Sequence, residues 1–308
     1  MKTRSWLIAV PAWGDWYVSL FLGPVLRSHR AALDELKREF RGSVRVRYIV
    51  QTDRPVEVAR ALSAHELTLV PPPAPGAPYT AFAEAHRRAL DNAEKGERVA
   101  ILNADMLVSV EAFVAAERRF RTGTRAIVAS GTRTLAPSRL RRSLVKPMRS
   151  RDLLAWSLRH AHSITKSCFW GEGRCHLPWG VYFQEGGNVV LRAFHLHPFA
   201  VVKDRDLPFR NTVDLAMVDH YRRDETHIVT SADELALAEM SPRSKTFADN
   251  DWLIDEASVL AWALRGAGPN HWWNFSHRIE IAGDASLVSS DAALAETVAR
   301  LNPYDKAA

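Results

Sequence analysis

Apolar positions in the first 130 residues fall into two alternating textures. Short aliphatic and β-branched runs occur at Trp6 to Val10, Val44 to Gln51, Glu66 to Val70, Arg98 to Asn103 and Arg125 to Ser130. Between them lie longer stretches whose apolar residues recur every three or four positions, as on one face of a helix. Leu20, Leu22, Val25, Leu26, Leu33 and Leu36 carry that spacing from Trp16 to Phe40, and Arg41-Gly42 supplies a stop. Further helices are expected at Pro55 to Ser63, Tyr79 to Ala93 and Val110 to Phe120, and Pro71-Pro72-Pro73 ends the third strand. Strands alternating with crossover helices make βαβ units. The prediction is an α/β fold, a Rossmann-type, mostly parallel central sheet with helices on both faces and ligands beyond the carboxyl ends of its strands.

After residue 135 the rhythm changes. Helical pieces are expected at Ser138 to Leu144 and Ser150 to His162. Tyr182-Phe183-Gln184 and Asn188-Val189-Val190-Leu191 then flank Gly186-Gly187, a two-residue hairpin signal. A strand at His227 to Thr230 and helices at Trp252 to Arg265 and Ala292 to Leu301 complete the pattern. This implies a smaller mixed or antiparallel sheet. The expected organisation is one domain over 1–240, built from halves 1–135 and 136–240, with a helical extension over 241–308 packed on it.

The composition, 47% apolar and 25% charged over 308 residues, suits a chain that buries a full core. Cys168 and Cys175 are too few for a disulfide framework and lack zinc-site spacing. The apolar stretch behind Met1-Lys2-Thr3-Arg4 meets Pro11 too soon for a signal peptide, and no run reaches the roughly 18 apolar residues of a membrane span. A cytoplasmic protein is expected. Its net charge of +6 is uneven, because no acidic residue stands between Glu117 and Asp152. That window holds Arg118, Arg119, Arg121, Arg125, Arg133, Arg139, Arg141, Arg142, Lys146, Arg149 and Arg151. It suits an anionic acceptor or the anionic inner face of a membrane. Nucleic acid is not expected, since Phe120 is the one aromatic residue among these arginines and a single ring makes no stacking platform.

The chemistry concentrates where a buried strand runs into Ile101-Leu102-Asn103-Ala104-Asp105-Met106. A carboxylate there reaches the crevice, and alternate residues of an extended chain point to one side. One Asp with a polar neighbour two positions earlier can help hold a divalent ion that takes its other ligands from phosphate oxygens. Asn103-Ala104-Asp105 thereby resembles the Asp-x-Asp motif of the GT-A glycosyltransferases, and the likeness extends over roughly residues 5 to 240. The resemblance implies a nucleotide-binding half at 1–135, an acceptor-binding half at 136–240, Mn²⁺ or Mg²⁺ as metal, and a nucleoside diphosphate sugar as donor. Ala9-Val10-Pro11 and Thr52-Asp53 look like that family's nucleotide-cradling positions, so Val10, Asp53 and Asn103 would hold the nucleoside and Asp105 the metal. Asn103 departs from the motif by removing one negative charge.

Glycosyl transfer to a hydroxyl of a glycan, lipid-linked or small-molecule acceptor needs a base, because a sugar hydroxyl is a poor nucleophile at neutral pH. Asp214 stands in the family's order for that role and Asp219 competes; five residues apart on a helix, the two do not share a face. By the same likeness a late histidine, His197, His195 or His220, completes the metal shell, and His195 and His197 would point the same way on an extended segment. Asp233-Glu234 offer further carboxylates. Trp13, Trp16, Trp170, Trp179, Trp272 and Trp273 lie outside the expected strands; Trp170 and Trp179, flanking Gly171-Glu172-Gly173, suit an acceptor sugar ring. Two other readings remain. A sugar-phosphate nucleotidyltransferase would want a basic, glycine-rich loop where Pro11-Ala12-Trp13-Gly14-Asp15 stands, and a basic nucleic-acid-binding protein would use the arginine window alone.

Overall fold

The computed structural model describes residues 4–40, 44–72, 78–170, 174–175, 179–206, 220–244, 252–253, 255–284, 286, 288, 298 and 300–303. In chain order the elements begin with β1 (Arg4–Pro11), α1 (Asp15–Leu20), α2 (Leu26–Glu39), β2 (Val44–Gln51), α3 (Pro55–Ala61) and β3 (Glu66–Val70). Next come α4 (Pro78–Asp91), β4 (Arg98–Ile101), β5 (Met106–Val108), α5 (Ala112–Arg121), β6 (Ala126–Ala129) and β7 (Gly131–Leu135). These precede α6 (Ser150–Arg159), α7 (Ser163–Lys166), β8 (Arg174–Cys175), β9 (Gly180–Glu185), β10 (Asn188–Ala193) and β11 (His197–Val202). The last are β12 (Thr226–Ile228), β13 (Leu237–Ser241), β14 (Trp252–Leu253), α8 (Glu256–Gly266), α9 (Pro269–Ser276) and β15 (Ile279–Ile281). The fold is mixed α/β with a mostly parallel central sheet, helices around it, and smaller sheets.

Two compact units interleave along the chain: residues 1–128, 137–148 and 197–227 form one, and 129–136, 149–196 and 228–308 the other. The contiguous halves suggested by sequence pattern miss this exchange. Its physical cause in the first unit is β11, which returns to pair antiparallel with β4, Ala200 opposite Ala100, and brings residues 197–227 with it.

The central sheet of the first unit has the order β12-β6-β11-β4-β1-β2-β3 among the described residues. β1 runs parallel to both neighbours, with Trp6 opposite Val46 on β2 and Arg98 on β4. Trp6, Leu7, Ile8, Ala9 and Val10 are all at most 2% exposed, as a parallel strand covered on both faces requires. Leu7, Ala9, Ile49, Val99 and Ile101 form one cluster with Ala89 and Leu90 of α4.

The single helix expected from Trp16 to Phe40 is broken. Pro24 has no N–H to give, Gly23 leaves the helical region at φ −96°, ψ −113°, and residues 21–25 form a wider π turn between α1 and α2.

Acidic groups at the amino ends of these strands are buried and paired. Glu117 of α5 is fully buried against Arg4 of β1 at 3.0 Å and Arg98 of β4 at 3.1 Å. Burial alone would push the Glu97 carboxyl up, but Arg47 and Ser5, donating to it, hold it below the usual carboxylate range.

In the second unit, β9 and β10 form the expected hairpin, Glu185 opposite Asn188. Gly186 (φ 55°) and Gly187 (φ 82°) both occupy the left-handed region that such a turn demands. β15 pairs antiparallel with β10, so residues 241–308 contribute a strand as well as helices. Phe183, Phe194, Trp272, Phe275 and Trp170 pack with Val259 and Ala263 of α8 into one core. β7 and β13 pair in parallel, Gly131 with Leu237 through Leu135 with Ser241. Most of the helix expected over 292–301 lies outside the described residues.

The Glu117 cluster yields a test. Glu117→Ala strands two guanidinium groups that are 11% and 22% exposed. The expected loss is about 3 kcal/mol or more of unfolding free energy in urea, against near-zero loss for Glu39→Ala, whose pair with Arg118 is exposed.

Candidate functional site

The carboxyl ends of β1, β2 and β4 meet in the first unit, and the strand order sets their spacing. β1 lies between the other two, so the ends of β2 and β4 stand about 10 Å apart, two interstrand spacings.

The loop after β1 turns at Gly14, whose φ of 75° a larger residue adopts only with strain. Its N–H donates to both carboxylate oxygens of Asp53, at 3.2 and 3.1 Å, just past the end of β2. Next to it Arg54 donates to Asp15 at 2.6 Å. Asp53 is exposed. Half-buried Trp13 meets Phe82 of α4 with ring centroids 5.3 Å apart, and Phe82 stacks on His86 one helical turn further at 6.5 Å. An aromatic row therefore runs inward from the loop.

Behind that row is a cleft lined by Ala9, Val10, Pro11, Ile49, Gln51, Val70, Ala85, His86 and Arg88, with about 240 Å³ of empty space including open solvent at its mouth. Val10 stands in the wall of this cleft. Two buried polar side chains of this wall lack full satisfaction. Gln51 donates to the Pro71 carbonyl at 3.2 Å, but its Oε1 accepts from no protein group, and neither ring nitrogen of His86 has a hydrogen-bond partner. Burial above all, and His197 nearby in second place, lower the His86 pKa to about 3, so the ring is neutral. His29 of α2 is likewise lowered to about 4, by burial against the opposing effect of the Met106 backbone.

β4 stops at Ile101, and Leu102 adds one more hydrogen bond, to Ala9. Asn103, Ala104, Asp105 and Met106 then make a turn, closed by Met106 N–H on the Asn103 carbonyl at 3.1 Å. The alternation expected of an extended chain does not apply to a turn, so side chains 103 and 105 diverge in exposure. Asn103 is half-buried, and Asp105 is 3% exposed and engaged within the protein.

His197 opens β11 with Nε2 on the Ile101 carbonyl at 3.0 Å, which leaves Nδ1 for any ligand. His195, in the loop before β11, faces His271 at 4.6 Å and Trp262 at 6.3 Å. The two imidazoles therefore have separate surroundings. His220 is half-buried and its carbonyl accepts from Arg205. Asp214 and Asp219 lie outside the described residues. Among the described residues no group of three or more His, Cys, Asp or Glu side chains is arranged to hold a metal ion.

Other expectations change. Trp170 is 4% exposed within the second unit's core and presents no stacking face. Trp179 donates from Nε1 to the Cys168 sulfur at 3.2 Å. Asp233 accepts two hydrogen bonds from Arg151 at 2.8 Å, which hold its carboxyl below the usual range.

Sequence reasoning passed over Phe82, His86 and Gln51. A signal existed: Phe82, His86, Ala89 and Leu90 share the inner spacing of α4, and a histidine at such a position has few ways to be satisfied.

No family model matches the chain, and no curated protein matches it. Solved structures show partial likeness. Residues 1–349 of S. aureus TarS share 14% identity with a TM-score of 0.32, over 42% of this chain and 36% of that one. A 4-diphosphocytidyl-2C-methyl-D-erythritol synthase from Anaerococcus prevotii shares 13% at 0.29, over 44% and 61%. A second synthase of that name shares 17% at 0.26, over 45% and 66%. The chain therefore spans between about a third and two thirds of these structures.

A neutral buried His86 makes stability depend on pH in one direction. The unfolded imidazole titrates near 6.5 and the folded one near 3. Stability is complete above pH 6.5 and falls as pH drops through that window, at up to about 1.4 kcal/mol per pH unit for this group. Urea unfolding at pH 7.5 and pH 5.0 should show a drop that His86→Leu reduces by roughly that contribution per unit.

Proposed function

We propose that this chain is a nucleotide-sugar-dependent glycosyltransferase whose nucleoside sits at the carboxyl ends of β1 and β2 and whose diphosphate reaches the turn after β4. The observation that carries this reading is the grouping of Trp13, Phe82 and Asp53 around one strand end, with the Asn103-Ala104-Asp105 turn two strands away. An indole face suits a nucleobase, and an exposed carboxylate suits base N–H or ribose O–H donors. The span of about 10 Å between the ends of β2 and β4 matches the reach from a base to its diphosphate.

A Mn²⁺ or Mg²⁺ ion suits this donor set only if the diphosphate and water supply most of its oxygens, which these ions accept readily. Asp105 is the carboxylate that would hold it, with His197 Nδ1 as a second donor. Because Asp105 is engaged within the protein, it would have to exchange that partner to hold an ion. When bound, the ion neutralises the charge gathering on the leaving diphosphate.

In the transfer itself the acceptor oxygen bonds to the anomeric carbon as the bond from that carbon to the phosphate oxygen breaks. The acceptor's proton passes to a carboxylate, assigned to Asp214 or Asp219 if the reaction inverts. The loop after β1 disfavours nucleotidyl transfer: its Gly14 N–H is taken by Asp53, and the neighbouring guanidinium of Arg54 is taken by Asp15.

Calorimetry with nucleoside diphosphates and their sugars, with and without Mn²⁺, tests the reading. One nucleoside diphosphate sugar should bind saturably and more tightly with metal. Asp105→Ala should abolish the metal effect while circular dichroism stays native, and Trp13→Ala should weaken even the free nucleoside about tenfold or more, the worth of one stacked base. Absence of any nucleotide binding in either condition removes the proposal.

A further inference from the structure

The acid-free window does not survive as one basic surface. Arg118 pairs with Glu39 at 2.6 Å, Arg121 with Glu117 at 3.8 Å and Arg125 with Asp204 at 3.3 Å. In the second unit Arg133 pairs with Glu239, and Arg151 with Asp233, each at 2.8 Å. Apart from Glu117, one helical turn from Arg121, these acids come from distant parts of the chain and pair with arginines that look unopposed in sequence.

What remains is one short segment of the first unit, a 3₁₀ turn at Arg139–Leu144 and the residues just after it. Arg139, Arg141 and Lys146 are exposed, and their side chains form no ion pair among the described residues. Leu144 stands among them at 70% exposure. No Phe, Tyr or Trp occurs between residues 137 and 149.

The segment is held firmly from beneath. Arg142 is 7% exposed, lies over the Trp16 ring at 4.4 Å and donates to Ser19. Arg27 donates to the carbonyls of Arg142 at 2.7 Å and Val145 at 3.4 Å. One arginine of the run therefore anchors the turn while its neighbours point outward. The arrangement places an exposed leucine amid three uncompensated cations on a fixed backbone.

We propose that residues 139–146 form a docking surface for an anionic lipid bilayer, with Arg139, Arg141 and Lys146 against the headgroups and Leu144 entering the acyl boundary. Charge complementarity selects an anionic partner. Leu144 selects a bilayer over a nucleic acid, which would use aromatic stacking at this point instead. Three cations and one aliphatic side chain give reversible attachment, well short of a spanning helix, and no described helix is long and apolar enough to cross a membrane.

Flotation of the full chain with extruded vesicles provides the test, using phosphatidylcholine alone and phosphatidylcholine with 30 mol% phosphatidylglycerol as about the anionic content needed for a strong surface potential. Binding to the mixed vesicles, absent from the neutral ones and lost in 0.5 M salt, is expected, roughly as the shortened Debye length dictates. Neutralising Arg139, Arg141 and Lys146 together to Gln should lower partition on the order of a hundredfold, about fivefold per charge. Leu144→Ala should lower it by up to roughly fiftyfold at unchanged charge, about the worth of three buried methylenes. All four positions are exposed, so thermal melts should be unchanged. Unaltered partition of the triple variant overturns the proposal. Binding to heparin or single-stranded RNA that is as tight as to the vesicles and indifferent to Leu144→Ala overturns it too, in favour of a general polyanion patch. Nucleotide calorimetry on the same variants should be unchanged, which separates this result from the fate of the glycosyltransferase reading.

Discussion

Burial of β1 on both faces between two parallel neighbours is the constraint from which the rest of the first unit follows. A strand that is dry on both sides and paired along both edges has no freedom of register. Trp6 must face Val46 and Arg98, and a one-residue slip would turn Leu7 and Ala9 away from the cluster they complete. With β1 fixed, its two neighbours end alongside it, and their carboxyl ends deliver Asp53 and the Asn103 turn to one edge of the sheet. The two ends of the sheet then differ in electrostatics. At the amino ends Glu97 and Glu117 are buried and saturated with arginine, whereas at the carboxyl ends Asp53 is exposed. Charge that is locked at one end supports the fold, and charge left reachable at the other is what a ligand can use.

The same contrast explains what could be read from the sequence. Strands β1, β2, β3, β4 and β6 were legible because short β-branched, largely apolar runs alternate with helical spacing, whereas the three residues of β5 were too few to register; the Gly186-Gly187 hairpin was legible because only glycine adopts positive φ at two successive positions cheaply. The break at Pro24 was hidden by the leucine periodicity around it, which continues in phase through the π turn. The acidic turn after the fourth strand was legible, but the alternation of an extended chain was carried into residues 103–105, where the turn closed by Met106 N–H on the Asn103 carbonyl does not keep it.

Partnership across distance was beyond reach. Nothing near Arg118, Arg125 or Arg151 in sequence announces Glu39, Asp204 or Asp233, so a block of positive charge looked continuous when several of its arginines are paired with acids from elsewhere in the chain. Trp170 failed as an acceptor-site residue for a related reason: its loop position suggested exposure, while Val181, Phe183 and Trp272 arrive from elsewhere to bury it. The places of Val10 and Asp53 in the fold were legible because they follow directly from where strands end. His86 and Gln51 depend on how α4 covers the sheet.

That dependence shapes the chemistry available in the cleft. His86 gives up its charge to remain inside, and Gln51 keeps an acceptor unused beside the strand ends. Buried polar groups without partners are costly, and an apolar pair at these two positions would have stabilised the same packing. In a wall that also contains Val10 and Pro11, His86 and Gln51 present polar atoms that a polar guest could satisfy, whereas the acids at the amino end are already paired. A neutral imidazole offers one donor and one acceptor and no net charge, which suits recognition of a planar, uncharged base and not of a phosphate. On the proposed function the diphosphate would lie at the turn after β4, where Asn103 in place of a second carboxylate would lower the repulsion it meets before any cation arrives.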